Sequence, residues 1–381
     1  MYVYCFKNLL FYLPFIKGME SRILVIKKVI VLHDFDGRPY YKGIESSYQV
    51  TYLNTRPFRF FFRDLIKTRK ISKDTIASLL FLFSLFFHKD KIILLAMAPF
   101  NWRMIIYRVL SNRNKVYYHT SWHDWQCNYP FSYLKFIDFI LMGVWKKSLS
   151  SFHECVTVTN SSKMSLLKFF PQLSGKISQV YHVVDSTSLT ESQFLSKWNL
   201  KYSSKYKIGY VGRLEESKGI NVFLSIVKSF NKDNLEFHVI GSGRYEPTLR
   251  HLSKENDNFY FHGYVGNRND IHDFYSELHF LLVPSLRTKE WEELFGVVVI
   301  EAMNKGVVVI CTDHVGPNEI IDNNVNGYIL TEGSFHSEVI NIIHGYINSD
   351  DFSVPNKAII RAKDFQVTNI KKKWVDIFDD K

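Results

Sequence analysis

The chain has 381 residues, 46% of them hydrophobic and 22% charged, a globular composition too long for one ordinary core, so two domains are expected. Its net charge of +11 is uneven, with 26 Lys and Arg against 11 Asp and Glu in residues 1–190 and 22 against 26 in the remainder. The basic half points to anionic lipid, nucleic acid or phosphorylated ligands, while the four cysteines, Cys5, Cys127, Cys155 and Cys311, lack C-x-x-C spacing and indicate neither a zinc site nor a disulfide framework, which suits a reducing cytosol.

The first 19 residues, MYVYCFKNLLFYLPFIKGM, are apolar but interrupted by Lys7, Pro14 and Lys17, and they lack a small-residue cleavage site; no signal peptide is expected. KVIVLHD (28–34), KIILLAMAP (91–99), KVYYHT (115–120), ECVTVTN (154–160) and ISQVYHVVD (177–185) read as strands with helical stretches between most of them. IASLLFLFSLFF (76–87) is 12 residues long, too short to span a bilayer, and no transmembrane helix is expected. RPFRFFFRDLIKTRKISK (56–73) holds seven Lys and Arg, one Asp and four Phe, a basic-aromatic pattern that favours anionic membrane surfaces; an ordinary amphipathic surface helix is the other reading.

The polar stretch 186–206 separates this half from a cleaner alternation. Strands are expected at KIGYVG (207–212), EFHVIG (236–241), NFYFHG (258–263), HFLLVPS (279–285), VVVICTD (307–313) and NGYIL (326–330), each followed by a helical pattern. Continuous apolar strands alternating with helices define α/β domains with parallel sheets buried on both faces. The expected organisation is residues 1–187 as a first doubly wound domain, 188–206 as linker, 207–360 as a second and 361–381 as a closing helix. Ligands of such sheets bind outside the carboxyl ends of the strands, here in a cleft between the domains.

Four stretches carry chemistry. In YVGRLEESKGINVF a strand ends at Gly212, and Arg213 and Lys218 lie in the turn before a helix, where a fork and a point charge could clamp a diphosphate; a solvated loop holding two bases fits the same residues. HVIGSG has a glycine pair after a strand but lacks the third glycine of a dinucleotide fingerprint. FHGYVG ends a strand at Gly263, with backbone groups near Val265 able to read a base edge. In EELFGVVVIEAM, Glu293 and Glu301 flank a helix start at Gly296, and a helical rise puts them at most about 12 Å apart, with free amides at Phe295, Gly296 and Val297 between. Carboxylates accept hydrogen bonds from vicinal hydroxyls. Alone, two such acids read as a helix-dipole partner and a solvated glutamate.

In their order and spacing these motifs, with GPNEII and NGYIL after them, resemble the donor-binding half of family-4 glycosyltransferases of the GT-B fold (glycosyl transferases group 1), strongly over residues 207–330. The resemblance implies two Rossmann-like domains facing a cleft, and sugar transfer with retention from a nucleotide diphosphosugar to an acceptor hydroxyl. It implies that Arg213 and Lys218 bind the diphosphate, Glu301 the ribose and Glu293 the donor sugar. Gly212, Phe295, Gly296 and Val297 would line the sugar and phosphates, and Val265 would read the base. In the first domain it implies a glycine loop, matched by YYKGIESSYQ with Gly43, and a histidine facing the sugar, matched by His119 with His123 as the other choice. VYHVVD (180–185) is similar to the family's interdomain segment, with His182 and Val183 in place of the usual Asn-Gly, and 363–380 to a final helix packing back on the first domain. No cofactor or metal is expected beyond the donor. The expected partners are a nucleotide sugar and a glycan or lipid-linked acceptor, with an anionic membrane surface open and nucleic acid not expected. A cytoplasmic place, peripheral on the inner membrane face, follows. A GT-B-fold epimerase and a basic nucleic-acid-binding protein are the competing readings.

Overall fold

A computed structural model describes residues 27–34, 38–56, 62, 65–66, 69, 71, 73–125, 135–184, 187–198, 205–230, 234–288, 291–349 and 351–379. The apolar N-terminal stretch and most of 56–72 therefore lie outside the described residues. Two six-stranded parallel sheets form, one per domain. The first has strands β1 Lys28–His33, β2 Gln49–Asn54, β3 Ile92–Ala96, β4 Lys115–Thr120, β5 Glu154–Thr157 and β6 Ile177–Gln179, in the order β2-β1-β3-β4-β5-β6. The second has β7 Tyr206–Val211, β8 Leu235–Ile240, β9 Phe259–Gly263, β10 Phe280–Val283, β11 Val308–Thr312 and β12 Tyr328–Leu330, in the order β12-β11-β10-β7-β8-β9.

The apolar runs become central strands because both sheet faces are covered: every residue of β11 is buried, and β4 is buried from Val116 onward. Crossovers running one way along a sheet place their helices on one face. In the first domain the helices Lys73–Leu85, Met104–Arg108, Lys135–Ser151 and Asn160–Phe169 share a face, with Leu82, Leu85, Met104, Tyr107, Trp145, Leu149 and Leu166 in one core. The opposite face is closed by the last helix, Val367–Asp379, through Ile370, Trp374, Ile377 and Phe378 against Val29, Val31, Tyr41, Ile44 and Tyr117. The expected return of the chain's end to the first domain is thus observed, although the helix before it, Ser353–Ala362, belongs to the second.

Two expectations need correction. The stretch 188–206 is not bare linker: it holds the helix Glu191–Trp198, whose Phe194 and Trp198 join the core of the second domain. The strand β2 was not anticipated. It is an edge strand with only Leu53 fully buried, so its sequence QVTYLN lacks the apolar run of its neighbours. The two domains are joined at a crossing of two segments, where the Val184 N–H donates to the Phe365 carbonyl at 2.8 Å. No helix among the described residues is long and apolar enough to cross a membrane.

Candidate functional site

A cavity of about 300 Å³ opens between the carboxyl ends of β7 and β10, where the strand order of the second sheet reverses. Its walls on the second domain are Gly212, Lys218, Ser285 and the run Glu293–Val298; across from them stand Tyr40, Ser121 and His182. Six of the residues expected at the site, Gly212, Lys218, Glu293, Phe295, Gly296 and Val297, therefore converge on one space.

Lys218 lies at the end of a 3-10 turn, Glu216–Lys218, just before Gly219 (φ +70°) opens the helix Ile220–Ser229. A Cβ at Gly219 would fall 1.7 Å from the Pro284 carbonyl oxygen, so only glycine lets β10 approach this turn. The Lys218 ammonium donates to the Glu293 carboxylate at 2.6 Å and sits 4.3 Å from the centre of the Trp291 ring. Glu293 is further fixed by its backbone: its N–H donates to His314 Nδ1 at 3.3 Å, its carbonyl accepts from Gly316 N–H at 2.9 Å, and His314 Nε2 bonds the Ser285 carbonyl at 2.9 Å. These partners assign the proton of His314 to Nε2. The Ser285 carbonyl is engaged, but its buried hydroxyl has no partner among the described residues and lines the cavity. Gly296 (φ +89°) turns the chain into the helix Val297–Asn304, so that the first-turn positions Gly296, Val297 and Val298 form part of the cavity wall.

A second cavity, about 290 Å³, lies against the first domain and shares Tyr40, Ser121 and His182 with the first. His119 is in its wall, at the end of β4 as expected. The Tyr41 hydroxyl, which burial keeps protonated, shares a hydrogen bond of 3.0 Å with His119 Nδ1. Burial pulls the His119 pKa down to about 4, so the ring is neutral at pH 7. His182 stacks on Tyr40 (4.2 Å between ring centres) and meets Phe295 edge-on (5.0 Å), bridging the domains where two cavities meet. Burial pushes its pKa well below the ordinary histidine value, with His119 adding to the shift. The Tyr40 phenol is pushed up by burial first and then by Glu293, with Arg268 opposing, so this first-domain residue senses charges of the second.

Near the second cavity, Asp34 gathers the ends of three strands. Its carboxylate accepts from Arg103 (2.9 and 3.1 Å), Arg56 (3.2 Å), the Ala98 N–H (3.2 Å) and the Thr55 hydroxyl. Burial opposes the charged form here, but the hydrogen bonds from Arg103, Thr55 and Arg56 outweigh it and hold the carboxyl below its usual value.

The remaining expected residues fall elsewhere. Arg213 pairs with Glu215 at 2.9 Å rather than joining Lys218 in the cavity wall. Glu301 is buried and paired with Arg268, with burial raising its pKa and Arg268 opposing; it is not in the cavity wall. Val265 is half-buried in the loop after β9, also outside the wall. Gly43 is a correction. It lies in the short helix Lys42–Glu45, and a Cβ there would come within 2.8 Å of Ile370 and 3.3 Å of Trp374. Close packing against the last helix, not a loop at the cavity, accounts for that glycine. His123 does not enter either cavity; it spans the domains, with Nε2 2.6 Å from Glu292. Glu319 makes a second crossing, accepting from Asn160 N–H and Nδ2 (2.9 and 2.7 Å) and the Tyr181 hydroxyl (2.9 Å).

Sequence reasoning missed Tyr40, Ser121, Ser285, Arg268 and His314 as site residues. Ser121 and Ser285 had one available signal, their place just beyond a strand's carboxyl end. No group of three or more His, Cys, Asp or Glu among the described residues is arranged to hold a metal.

Residues 191–357 match the model of the family described as glycosyl transferases group 1, a match that spans most of the second domain. An uncharacterised 41.2 kDa protein of the cps region of Klebsiella pneumoniae is 29% identical over 158 residues, covering 41% of this chain and 42% of that protein. The amylovoran biosynthesis glycosyltransferase AmsK of Erwinia amylovora is 30% identical over 146 residues, 36% of each chain. The matches thus span less than half the length of these curated relatives. Among solved structures, Anabaena HepE in complex with UDP superposes with a TM-score of 0.66 at 15% identity, over 93% of this chain and 100% of that one. That likeness shows the fold, the GT-B arrangement of two facing α/β domains.

Proposed function

We propose that the chain is a retaining glycosyltransferase of family 4, moving a sugar from a nucleotide diphosphosugar to an acceptor hydroxyl in the assembly of a surface polysaccharide or lipid-linked glycan. The observation that carries this reading is the convergence of Lys218, Glu293, the Ser285 hydroxyl and the start of the helix Val297–Asn304 on one cavity at the switch point of the second sheet. A diphosphate there would meet an ammonium and first-turn amides, both of which favour negative charge. Glu293 would accept from sugar hydroxyls, exchanging part of its bond to Lys218 for them. Glu301 would receive the ribose hydroxyls in place of Arg268. A nucleotide and glycosyl transfer are also what the similar proteins' names carry, in the UDP bound to HepE and the amylovoran biosynthesis glycosyltransferase AmsK.

In this scheme the bond from C1 to the β-phosphate oxygen breaks as the acceptor oxygen approaches the same face of the sugar. The leaving phosphate oxygen takes the acceptor's proton, and Lys218 with the helix amides offsets the charge that develops. Neutral His119 would serve as a hydrogen-bonding group, not as a general acid. The adjoining cavity gives a second substrate its own space, which favours transfer over single-substrate epimerisation. No metal step is required, so chelation with EDTA should leave turnover unchanged. The reading is tested by thermal shift against a panel of nucleoside diphosphates and nucleotide sugars, followed by transfer with the best donor and the anomeric configuration of the product. A matching donor at 100 times its Kd stabilises the fold by about 2.7 kcal/mol. No stabilisation by any nucleotide, or an inverted product, would overturn it.

A further inference from the structure

Ser285 lies two residues beyond β10 and is 1% exposed, yet its hydroxyl has no hydrogen-bond partner among the described residues. Buried polar atoms of folded proteins are nearly always paired, because an unpaired one has lost its hydration for nothing. Among the described residues, Ser285 Oγ is the one such atom in the wall of the cavity between β7 and β10. Its backbone is held firmly. The Ser285 carbonyl accepts from the Thr312 hydroxyl at 2.6 Å and bonds His314 Nε2 at 2.9 Å. On one side of Ser285 the Pro284 carbonyl closes on Gly219, and on the other the Leu286 N–H donates to the Ser217 carbonyl at 2.9 Å. Both neighbours of Ser285 are therefore tied to the turn that carries Lys218.

The charge of the same wall calls for a further donor. Arg213 pairs with Glu215 at 2.9 Å and is not in the wall, which leaves Lys218 as its one cation among the described residues. The Lys218 ammonium is itself shared with the Glu293 carboxylate at 2.6 Å. A diphosphate carries more negative charge than that ammonium can offset, so neutral donors must supply the rest. The first-turn positions of the helix Val297–Asn304 are one source. A hydroxyl both donates and accepts, and it rotates to suit what it meets. On the Lys218 side of the cavity, a donating Ser285 hydroxyl fits an anionic oxygen.

We infer that the Ser285 hydroxyl donates to a phosphate oxygen of the bound diphosphate beside Lys218, a contact that leaves the hydroxyl unpaired until the ligand arrives. This rests on the reading of the cavity as a nucleotide-sugar site. The hydrogen bond strengthens as charge builds on the leaving diphosphate. The test is calorimetric titration of the full chain, parent and Ser285→Ala, with inorganic pyrophosphate, UDP, GDP and ADP, beside urea unfolding of both without ligand. Pyrophosphate presents the diphosphate without base or sugar, so it isolates the contact. Ser285→Ala should weaken pyrophosphate and the best nucleoside diphosphate about tenfold or more, the scale of one hydrogen bond to a charged group. Its urea midpoint should equal or exceed the parent's, because deleting an unpaired hydroxyl leaves no partner stranded. Undiminished pyrophosphate binding by Ser285→Ala would overturn the inference and leave the hydroxyl to the sugar or to water. A lowered urea midpoint would overturn it as well, since the hydroxyl would then serve the fold. A parent that binds none of the four would instead overturn the reading of the cavity, and this inference with it.

Discussion

Lys218 is held by two unlike partners, a carboxylate at 2.6 Å and an indole face at 4.3 Å. Both hold the side chain in place while it lines the cavity, which is how a point charge is kept ready for a diphosphate. The convergence of Lys218, Glu293 and Gly296 on one space was legible in the sequence because strand ends and a helix start fix them. The sequence could not separate Arg213 from Lys218, since side-chain direction in a loop depends on neighbours such as Glu215. Tyr40 and His182 were out of reach for another reason: they join the site only through the packing of one domain on the other. His119 makes a pH prediction. Its folded pKa, about 4, lies below the unfolded value, so between pH 6.5 and 4 the unfolded chain binds a proton that the folded one refuses. Stability should therefore fall as pH drops through that window, by on the order of 3 kcal/mol from this group. In His119→Gln, unfolding free energies at pH 7 and pH 4 should differ by that much less than in the parent; an unchanged difference would contradict the buried neutral ring.

At the scale of elements, the turn into the helix Val297–Asn304 decides whether amides line the cavity. Gly296 has a left-handed φ of +89°, and a Cβ there would lie 3.0 Å from Val299 Cγ2. Gly296→Ala should cost about 1–3 kcal/mol in denaturant unfolding and lower turnover with it. Full stability and full activity in that variant would show that the turn is not constrained. The central strands and most helices were legible because both faces of each sheet are buried, so burial and sequence pattern coincide. Edge strand β2 and the helix Glu191–Trp198 were not, because their burial is confined to one side and polar residues dominate the count.

The whole molecule is held together by a helix that leaves one domain and by charge pairs that cross between them. Trp374 of the last helix is buried on the first domain beside Gly43. Trp374→Ala should destabilise the first domain by about 3–5 kcal/mol, seen as an earlier first transition in thermal unfolding; coincident, unshifted transitions would contradict that role. Glu292 crosses to His123, and this hydrogen bond, against the opposing effect of burial, brings its pKa down to about 2. A depressed carboxyl pKa stabilises above the unfolded value near 4.5 and loses that contribution as pH falls toward 2. Glu292→Gln should therefore lose less stability than the parent between pH 4.5 and pH 2, measured as the change in Tm across that range. Equal losses would mean that the pair does not join the domains in solution.

The central claim is that the cavity between β7 and β10 carries the transfer. It is tested most directly by steady-state turnover of the identified donor in Lys218→Ala and Glu293→Ala, with folding confirmed by circular dichroism. The account predicts that each lowers kcat by about 10²-fold or more, the scale of a lost preorganised contact. Near-normal turnover in both variants would contradict it.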